Sequence, residues 1–570
     1  MIVKRKLYFV VVVVMCTLFL LVLRLVALQI VNGDNFVRDA ENLHSTTIKT
    51  QAARGRIFDR NGNPLALNVP SYEIFWRRTS NVINKEKLKY LFTLSGQDWS
   101  DIEKRIDGGA NFIYFNRSAD EDFLNLVKEN LTRGIEWKEN KNRIYPCGEL
   151  AANIVGFVGS DHGLEGIERD YEYYLKGKSG FKLAQRDAKG NILYTLGGKV
   201  AVLEPGYDIY LTIDRVLQHT VERELAEIQQ KFDPTSIVAI ILEPKTGKIL
   251  SLANYPSYDP NRFGEFPTSS FRNRAIADFY EPGSTFKIIT ASAALEEKII
   301  DPKDRIFCEN GSYQVAGHTI RDVHPYGWLT FREALLYSSN IAFTKIGQKM
   351  GEKELYKYLK KFGFGEKTGI DLEGEVNGLL RDVTKWSKLS IGAIPYGQEI
   401  GVTPLQIASA VAAVANGGVL VKPFIVNEIA NENGVIIKKN SPTVKRRVIS
   451  NDSAKLLTSL LVDVVENGTG KAAIVNGYSI AGKTGTSQKY IPGEGYSMTK
   501  YVSSFIGYAP ANDPQVLILV VVDEPKGAYY GGQVAAPSFK NIMEKTLRYL
   551  EIPPDKISSE MAGLQSIVKR

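Results

Sequence analysis

Cysteine and histidine are scarce in this 570-residue chain, which has 3 cysteines and 5 histidines. Three cysteines cannot build a disulfide framework, and Cys16 lies in an apolar N-terminal run. We expect Cys147 and Cys308 to be free thiols, although a bridge between them stays open. The histidines show no metal-ligand spacing, so we expect no metal site, and nothing in the chain calls for another cofactor.

Long runs of one charge are also lacking. The net charge of +8 is spread along the chain, which gives little support to nucleic-acid binding and some to an anionic surface. Hydrophobic residues make up 44% and charged residues 24%, as in folded proteins. A chain of this length predicts two or three domains.

A long apolar run occurs at the N-terminus. The basic stretch Lys4–Lys6 precedes a run without charge from Leu7 to Leu23, and a further apolar stretch follows Arg24. A cleaved signal peptide is the alternative, but no small-residue cleavage site follows the run. We predict a cytoplasmic tail at 1–6 and a membrane anchor at 7–30, with the remainder outside the cytoplasm by the positive-inside rule.

The rest of the chain divides near Pro205. Residues 31–205 are polar, with short strand-like and helical pieces such as the hairpin predicted for Arg54–Asn68 around an Asn-Gly turn. Residues 206–552 begin with a strand and an amphipathic helix, continue through helical segments at Phe331–Met350 and Thr403–Asn416, and return to strands near the end. We predict an α/β protein of α+β type with a mostly antiparallel sheet covered by helices, and a tail at 553–570.

The stretch YEPGSTFKII, Tyr280 to Ile289, places Ser284 and Lys287 three residues apart after a Pro-Gly turn. The residues after the turn are apolar nearly all round, which predicts a buried helix with both side chains on one face. A lysine in apolar surroundings favours its neutral form and can accept a proton from a serine. The same spacing at Ser179 and Lys182 has no chemistry around it, so a helix cap is the alternative.

Two further motifs follow in the same predicted domain. Ser338-Ser339-Asn340 offers a hydroxyl for proton relay and an amide that both donates and accepts. Lys-Thr-Gly occurs at 245, 367 and 483, and the third copy stands on a predicted strand and continues to Thr486. There Lys483 supplies a cation, Thr484 and Thr486 supply hydroxyls, and Gly485 leaves room for the strand to approach the serine.

Together these motifs resemble those of penicillin-recognising serine enzymes. Over nearly its whole length the chain resembles class B penicillin-binding proteins, in blocks that include RGRIFDRNGNPLA, NRAIADFYEPGSTFK, SSNIAF, VTPLQIASAVAAVANGG and GKTGTS. Asn340 and the stretch VVVDEPKGAYYGGQVAAPSFK look most like the division-specific, septal members of the family. The elongation-type members are the main alternative.

The resemblance implies a D,D-transpeptidase that cross-links peptidoglycan stem peptides and is the target of β-lactams. Ser284 is then the nucleophile and Lys287 its base, while Ser338 and Asn340 shuttle protons and position substrate. Lys483, Thr484, Gly485 and Thr486 bind the substrate carboxylate, and the Ser284 and Thr486 N–H groups form the oxyanion hole. The implied partners are a polytopic septal glycosyltransferase and other division proteins, with 31–205 as a non-catalytic pedestal of the dimerisation type.

Three other functions stay open. A β-lactamase or D,D-carboxypeptidase would share the motifs, but no acidic residue is evidently placed for deacylation. A β-lactam sensor would need several spans and a cytoplasmic effector. A catalytically inactive division scaffold would keep the fold without using Ser284.

Overall fold

The strand Val516–Asp523 shows how the C-terminal part of the protein is organised. Successive side chains on a strand point to opposite faces of the sheet. Leu517 and Leu519 pack into one hydrophobic cluster, whereas Ile518 and Val520 pack into a second. A strand buried on both faces needs a nearly continuous apolar sequence, which explains the run VLILVVV.

The computed structural model describes residues 2–50, 52–78, 84–130, 134–160, 162–186, 192–201 and 203–556. The described strands, in chain order, are β1 (Ser45–Thr50), β2 (Ile57–Phe58), β3 (Pro64–Arg77), β4 (Phe112–Ala119), β5 (Ile135–Ile144), β6 (Gly180–Arg186), β7 (Ile192–Ala201), β8 (Asp208–Leu211), β9 (Ser236–Leu242), β10 (Ile249–Tyr255), β11 (Arg305–Phe307), β12 (Ser312–Val315), β13 (His318–Arg321), β14 (Trp328–Thr330), β15 (Val419–Val421), β16 (Val426–Ala430), β17 (Ile436–Lys439), β18 (Val444–Arg447), β19 (Ala481–Ile491), β20 (Gly495–Ala509) and β21 (Val516–Asp523).

The described α-helices are α1 (Ile2–Val26), α2 (Gly33–His44), α3 (Lys85–Leu94), α4 (Trp99–Asp107), α5 (Glu121–Glu129), α6 (Ala152–Val155), α7 (Gly166–Asp170), α8 (Glu172–Leu175), α9 (Arg215–Phe232), α10 (Arg274–Ala277), α11 (Lys287–Glu296), α12 (Phe331–Leu336), α13 (Asn340–Met350), α14 (Glu352–Lys361), α15 (Ser390–Ala393), α16 (Pro404–Ala415), α17 (Asn451–Glu466), α18 (Gly531–Val534) and α19 (Ala536–Tyr549).

The chain forms two compact units. One comprises residues 1–54 and 176–206, and the other comprises residues 55–175 and 207–570. In the first unit β1, β6 and β7 form an antiparallel sheet, and α1 continues as a π-helix to Val31. The stretch Ile2–Val31 is long and apolar enough to cross a membrane.

The second unit holds a five-stranded sheet in the order β10-β9-β21-β20-β19. All of its neighbouring strands pair antiparallel. Side chains of α11 and α16 share a cluster with one face of the sheet, and those of α9 and α19 share a cluster with the other. The predicted fold class, a mostly antiparallel sheet flanked by helices, is therefore confirmed.

A second sheet in the same unit joins distant parts of the chain. Its order is β17-β16-β8-β2-β3-β4, with β5 also paired to β3. The predicted hairpin at 54–68 is confirmed as β2 and the start of β3. A separate hydrophobic cluster lies between β3, β4 and α3 to α5, with Trp76 and Phe92 among its members.

Most of the predicted elements occur, with one correction. The helix at Thr403–Asn416 is confirmed as α16, which Thr403 caps in a capping box with Gln406. The single helical segment expected from Phe331 to Met350 is wrong, because α12 ends at Leu336 and α13 starts at Asn340. The interruption contains Ser338, whose φ of 59° is left-handed and cannot continue a right-handed helix.

Candidate active site

Ser284 lies in a tight turn before the central helix α11. The turn is a 3-10 helix over Gly283–Phe286, and Gly283 has a φ of 54°, a conformation that costs glycine little. The Gly283 N–H donates to the Gly397 carbonyl at 3.0 Å. Ser284 stays half-buried, whereas the helix behind it is buried over nearly its whole length, so the serine stands at the accessible end of a rigid element.

Lys287 lies directly behind Ser284 and is fully buried. Its Nζ is 3.0 Å from Ser284 Oγ and 3.1 Å from Ser338 Oγ. It also donates to the Ser338 carbonyl at 2.6 Å and to Asn340 Oδ1 at 2.8 Å. The structure thus gathers the first two sequence motifs around one amine.

Burial lowers the pKa of Lys287 well below its ordinary value, and the nearby charge of Lys483 lowers it further. The charge of Asp322 acts in the opposite direction. Desolvation disfavours an ammonium because the ion loses its hydration. A lowered pKa favours the neutral amine, which carries a lone pair that can accept a proton.

The break between α12 and α13 explains how Ser338 reaches the lysine. In a continuous helix the carbonyl of residue 338 would bond to an amide one turn later. Because the helix stops and restarts, this carbonyl is turned to Lys287 instead. Ser339 caps the new helix by accepting from the Ala342 N–H at 3.0 Å, as expected for a serine at this position.

The third motif lies on the edge strand β19, which runs past the serine turn. A Cβ atom added at Gly485 would lie 2.3 Å from Ser504 Oγ on the neighbouring strand, 2.9 Å from Thr285 Cγ2 and 3.0 Å from the Pro282 carbonyl. Only glycine allows the strand to approach the turn this closely. On the alternate side of the strand, Thr484 Oγ1 donates to Thr469 at 3.0 Å, and Thr486 Oγ1 accepts from the Gly531 N–H at 3.0 Å.

Lys483 is fully buried, and burial lowers its pKa to about 7. Its contacts are weak ones to Thr484, at 3.3 Å to the carbonyl and 3.4 Å to Oγ1. Among the described residues no carboxylate forms an ion pair with it. A buried amine without an anion is suited to bind one from outside.

Two acidic residues near the site belong to none of the three motifs. Asp322, just after β13, accepts from the Asn340 N–H at 2.6 Å and from Ser339 Oγ at 2.6 Å. Glu281, three residues before Ser284, accepts from the Glu399 N–H at 2.9 Å and from the Tyr496 hydroxyl at 3.1 Å. Burial raises the pKa of Glu281 to about 7. Sequence spacing could not single them out, because their partners are brought close by folding.

The other motif matches lie elsewhere. Lys245-Thr246-Gly247 forms the turn between β9 and β10, and the copy at 367–369 is in a loop where Glu375 accepts from the Thr368 N–H at 2.7 Å. Ser179 precedes β6 in the other compact unit.

Cys147 and Cys308 are free thiols, so they are not bridged. Among the described residues no group of three or more His, Cys, Asp or Glu side chains could hold a metal.

A half-buried serine hydroxyl in contact with a buried lysine, with a second serine and an asparagine on the same amine, is typical of lysine-activated serine acyltransferases. The chain belongs to the penicillin-binding protein family. The model described as "Penicillin binding protein transpeptidase domain" matches residues 237–544, and the model described as "Penicillin-binding Protein dimerisation domain" matches residues 49–211. The protein is an enzyme of the serine-type D-Ala-D-Ala transpeptidase class.

Several relatives are similar over most of their length. Stage V sporulation protein D of Bacillus subtilis is 35% identical, over 97% of this chain and 87% of that protein. Peptidoglycan D,D-transpeptidase FtsI of Escherichia coli is 30% identical, over 94% and 90%. The crystal structure of penicillin-binding protein 3 from Mycobacterium tuberculosis with aztreonam matches with a TM-score of 0.70 and 28% identity, covering 89% of this chain and 98% of that one.

Proposed function

We propose that this protein is the septal peptidoglycan D,D-transpeptidase of its cell. The observation that carries the chemistry is the contact of one buried amine, Lys287 Nζ, with Ser284 Oγ, Ser338 Oγ and Asn340 Oδ1. The septal assignment is supported by the resemblance of NRAIADFYEPGSTFK and the region after β21 to septal members, and by the 30% identity with FtsI.

Lys287 is the base for acylation. The Ser338 carbonyl and Asn340 Oδ1 have no hydrogen to give, so each takes one N–H of the amine. A neutral amine then has its lone pair left for the proton of Ser284 Oγ–H, which lies 3.0 Å away. As that proton moves to Nζ, Oγ forms a bond to the penultimate D-alanine carbonyl carbon of a stem peptide.

The tetrahedral intermediate collapses by breaking the C–N bond to the terminal D-alanine. Lys287 returns the proton through Ser338 Oγ, 3.1 Å from Nζ, to the leaving nitrogen, and D-alanine departs. The N–H groups of Ser284 and Thr486 stabilise the oxyanion. An amine from a neighbouring stem then attacks the ester carbonyl of the acyl-enzyme and forms the cross-link. The C–O bond to Ser284 breaks, and the proton lost by the amine returns to Ser284 Oγ through Lys287.

Substrate binding falls to β19. Lys483, Thr484 and Thr486 bind the terminal carboxylate of the stem peptide, and Gly485 keeps the strand close to the nucleophile. The support is the buried amine of Lys483, which lies 3.4 Å from the Thr484 hydroxyl and forms no ion pair among the described residues. β-Lactams carry a carboxylate or an equivalent anion and a strained amide in similar positions, so they acylate Ser284. The similar structure from Mycobacterium tuberculosis is a complex with aztreonam.

The remaining parts anchor and dock the enzyme. The helix Ile2–Val31 spans the inner membrane once, with its basic start in the cytoplasm and the catalytic domain outside. Residues 31–205 act as a non-catalytic pedestal, and 206–552 form the transpeptidase domain. The polytopic septal glycosyltransferase and other division proteins are the proposed partners.

The serine chemistry is tested by penicillin labelling of the full-length chain in detergent. Ser284→Ala abolishes labelling, whereas Ser179→Ala, which removes the other serine with the same spacing, labels as the unaltered chain does. Normal labelling of the Ser284→Ala variant would exclude the proposed nucleophile. Label that stays bound for hours separates a transpeptidase from a β-lactamase, which would release it.

The cellular role is tested by depletion and by a fluorescent fusion. A septal enzyme gives filaments on depletion and localises at midcell, and Ser284→Ala fails to restore division. Rounded cells would indicate an elongation role, and restoration by Ser284→Ala would indicate a scaffold. A wall-synthesis role confined to sporulation is the second candidate, favoured by the 35% identity with the sporulation protein; it predicts normal vegetative division after depletion.

A further inference from the structure

Asp322 directly follows β13 and is hydrogen-bonded to the first residues of α13. Its carboxylate accepts from the Asn340 N–H at 2.6 Å, from the Ile341 N–H at 3.1 Å and from Ser339 Oγ at 2.6 Å. The first N–H groups of a helix have no partner within the helix and form its positive end. Asp322 therefore fixes the segment that carries the second sequence motif.

The residue before it fixes the orientation of the Asn340 amide. Asn340 Nδ2 donates to the Arg321 carbonyl at 3.0 Å. Since a carbonyl can only accept, it selects the NH₂ side of the amide and leaves Oδ1 directed to Lys287, 2.8 Å away. Arg321 thus fixes the side-chain amide of Asn340, and Asp322 fixes its backbone N–H.

Asp322 also contributes charge to the site. The charged groups that act on Lys287 are Lys483 from β19, which disfavours the ammonium, and Asp322, which favours it. The titratable groups that Asp322 faces are Tyr326 and Cys308, and the pKa of each is raised by burial and by the Asp322 charge. Asp322 is thus the negative charge that offsets Lys483 at the catalytic lysine.

We propose that Asp322 is a positioning residue of the acylation reaction, which holds Asn340 and the Ser338 segment against Lys287 and supplies a balancing charge. This inference rests on the proposed role of Lys287 as the base. It assigns a function to a residue outside the three motifs, 18 positions before Asn340 in the sequence.

The test compares Asp322→Asn with Asp120→Asn in the full-length chain in detergent. The first change keeps the side chain's size and removes its charge. The second removes the charge of a carboxylate that caps α5 by accepting from the Phe123 N–H at 2.8 Å. The rate constant of acylation by a fluorescent penicillin is measured as a function of pH, with thermal unfolding as a check on folding.

We expect Asp322→Asn to lower the plateau rate by about 10- to 100-fold, the size of effect that a misplaced catalytic group produces. The acid limb, where Lys287 becomes protonated, moves to lower pH because the ammonium has lost its stabilising charge. Asp120→Asn changes neither. An acid limb at the unaltered pH overturns the proposal, whether or not the plateau falls. Failure of the proposed function is seen separately, as acylation of a Ser284→Ala chain.

Discussion

The carbonyl oxygen of Ser338 lies 2.6 Å from Lys287 Nζ, the shortest of the contacts that hold this amine. It is a main-chain atom, released by the interruption between α12 and α13. It fixes the amine in a position where Ser284 Oγ is also within hydrogen-bond distance. The contact of Ser284 with Lys287 is therefore organised by a backbone feature as well as by side chains.

Replacing the proposed base, Lys287, should remove catalysis and leave the fold. Lys287→Ala is expected to slow acylation by penicillin about 10²- to 10⁴-fold, the usual contribution of general acid–base catalysis. The rate is measured by mass spectrometry of the acylated protein over time. Lys353→Ala, an exposed lysine on α14, is the matched control and should acylate at the unaltered rate. Equal rates for the two variants would remove Lys287 from the mechanism.

Binding of a carboxylate should be accompanied by proton uptake. Lys483, with a pKa of about 7, is mostly neutral at pH 8.5, and a bound anion favours its charged form. A Ser284→Ala chain should therefore take up as much as about one proton on binding a D-Ala-D-Ala peptide at this pH. Calorimetry in two buffers of different ionisation enthalpy measures the uptake.

The same calorimetry contains its control. Adding Lys483→Ala to the Ser284→Ala chain should weaken binding and abolish the buffer dependence of the enthalpy. Identical enthalpies in both buffers for the Ser284→Ala chain would show that Lys483 does not gain a proton from ligand binding.

Much of the site could be predicted from the sequence, because it depends on local pattern. The buried helix after Ser284, the strand that carries Lys483 and the cap at Thr403 follow from periodicity and from the preferences of single residues. Ser339 and Asn340 are residue types that favour helix caps, but the left-handed backbone of Ser338, which turns its carbonyl to Lys287, could not be predicted in this way. The contacts of Asp322 and Glu281 depend on elements that meet only after folding.

A methyl group at Gly485 should separate the strand from the serine turn. Gly485→Ala places a Cβ atom 2.3 Å from Ser504 Oγ on β20 and within 3.0 Å of Thr285 and Pro282. The Ser504 side chain and either β19 or the turn must therefore move, at a cost of about 1–3 kcal/mol. Acylation should slow by about tenfold or more, because small displacements of catalytic groups have large effects on rate. Gly264→Ala, whose Cβ would meet nothing within 4 Å, should acylate normally. A normal rate for Gly485→Ala would contradict the close-approach argument.

Stability should depend on pH through Glu281. Its pKa of about 7 lies above the ordinary value of 4.5 because of burial. Such a group contributes fully to the free energy of unfolding below pH about 4.5, and its contribution is lost as the pH rises through about 7. Glu281→Gln cannot ionise, so the variant should lose less stability than the unaltered chain between pH 5 and pH 8.

Calorimetric Tm values at several pH values check this expectation, with a difference of roughly 2 °C or more between the two pH dependences. The exposed Glu432→Gln serves as the control and should follow the unaltered chain. Parallel curves for all three proteins would mean that Glu281 is ionised in the folded state at acidic pH.

The interruption at Ser338 also affects how the site responds to mutation. Every residue has a main-chain carbonyl. The contact of the residue 338 carbonyl with Lys287 Nζ should therefore survive substitution of Ser338 by alanine or glycine. A β-branched residue is different, because it disfavours the left-handed φ of 59°. The activity of Ser338 variants should therefore depend on how well each residue adopts this backbone conformation as well as on the loss of the hydroxyl. Valine and isoleucine should lower it most.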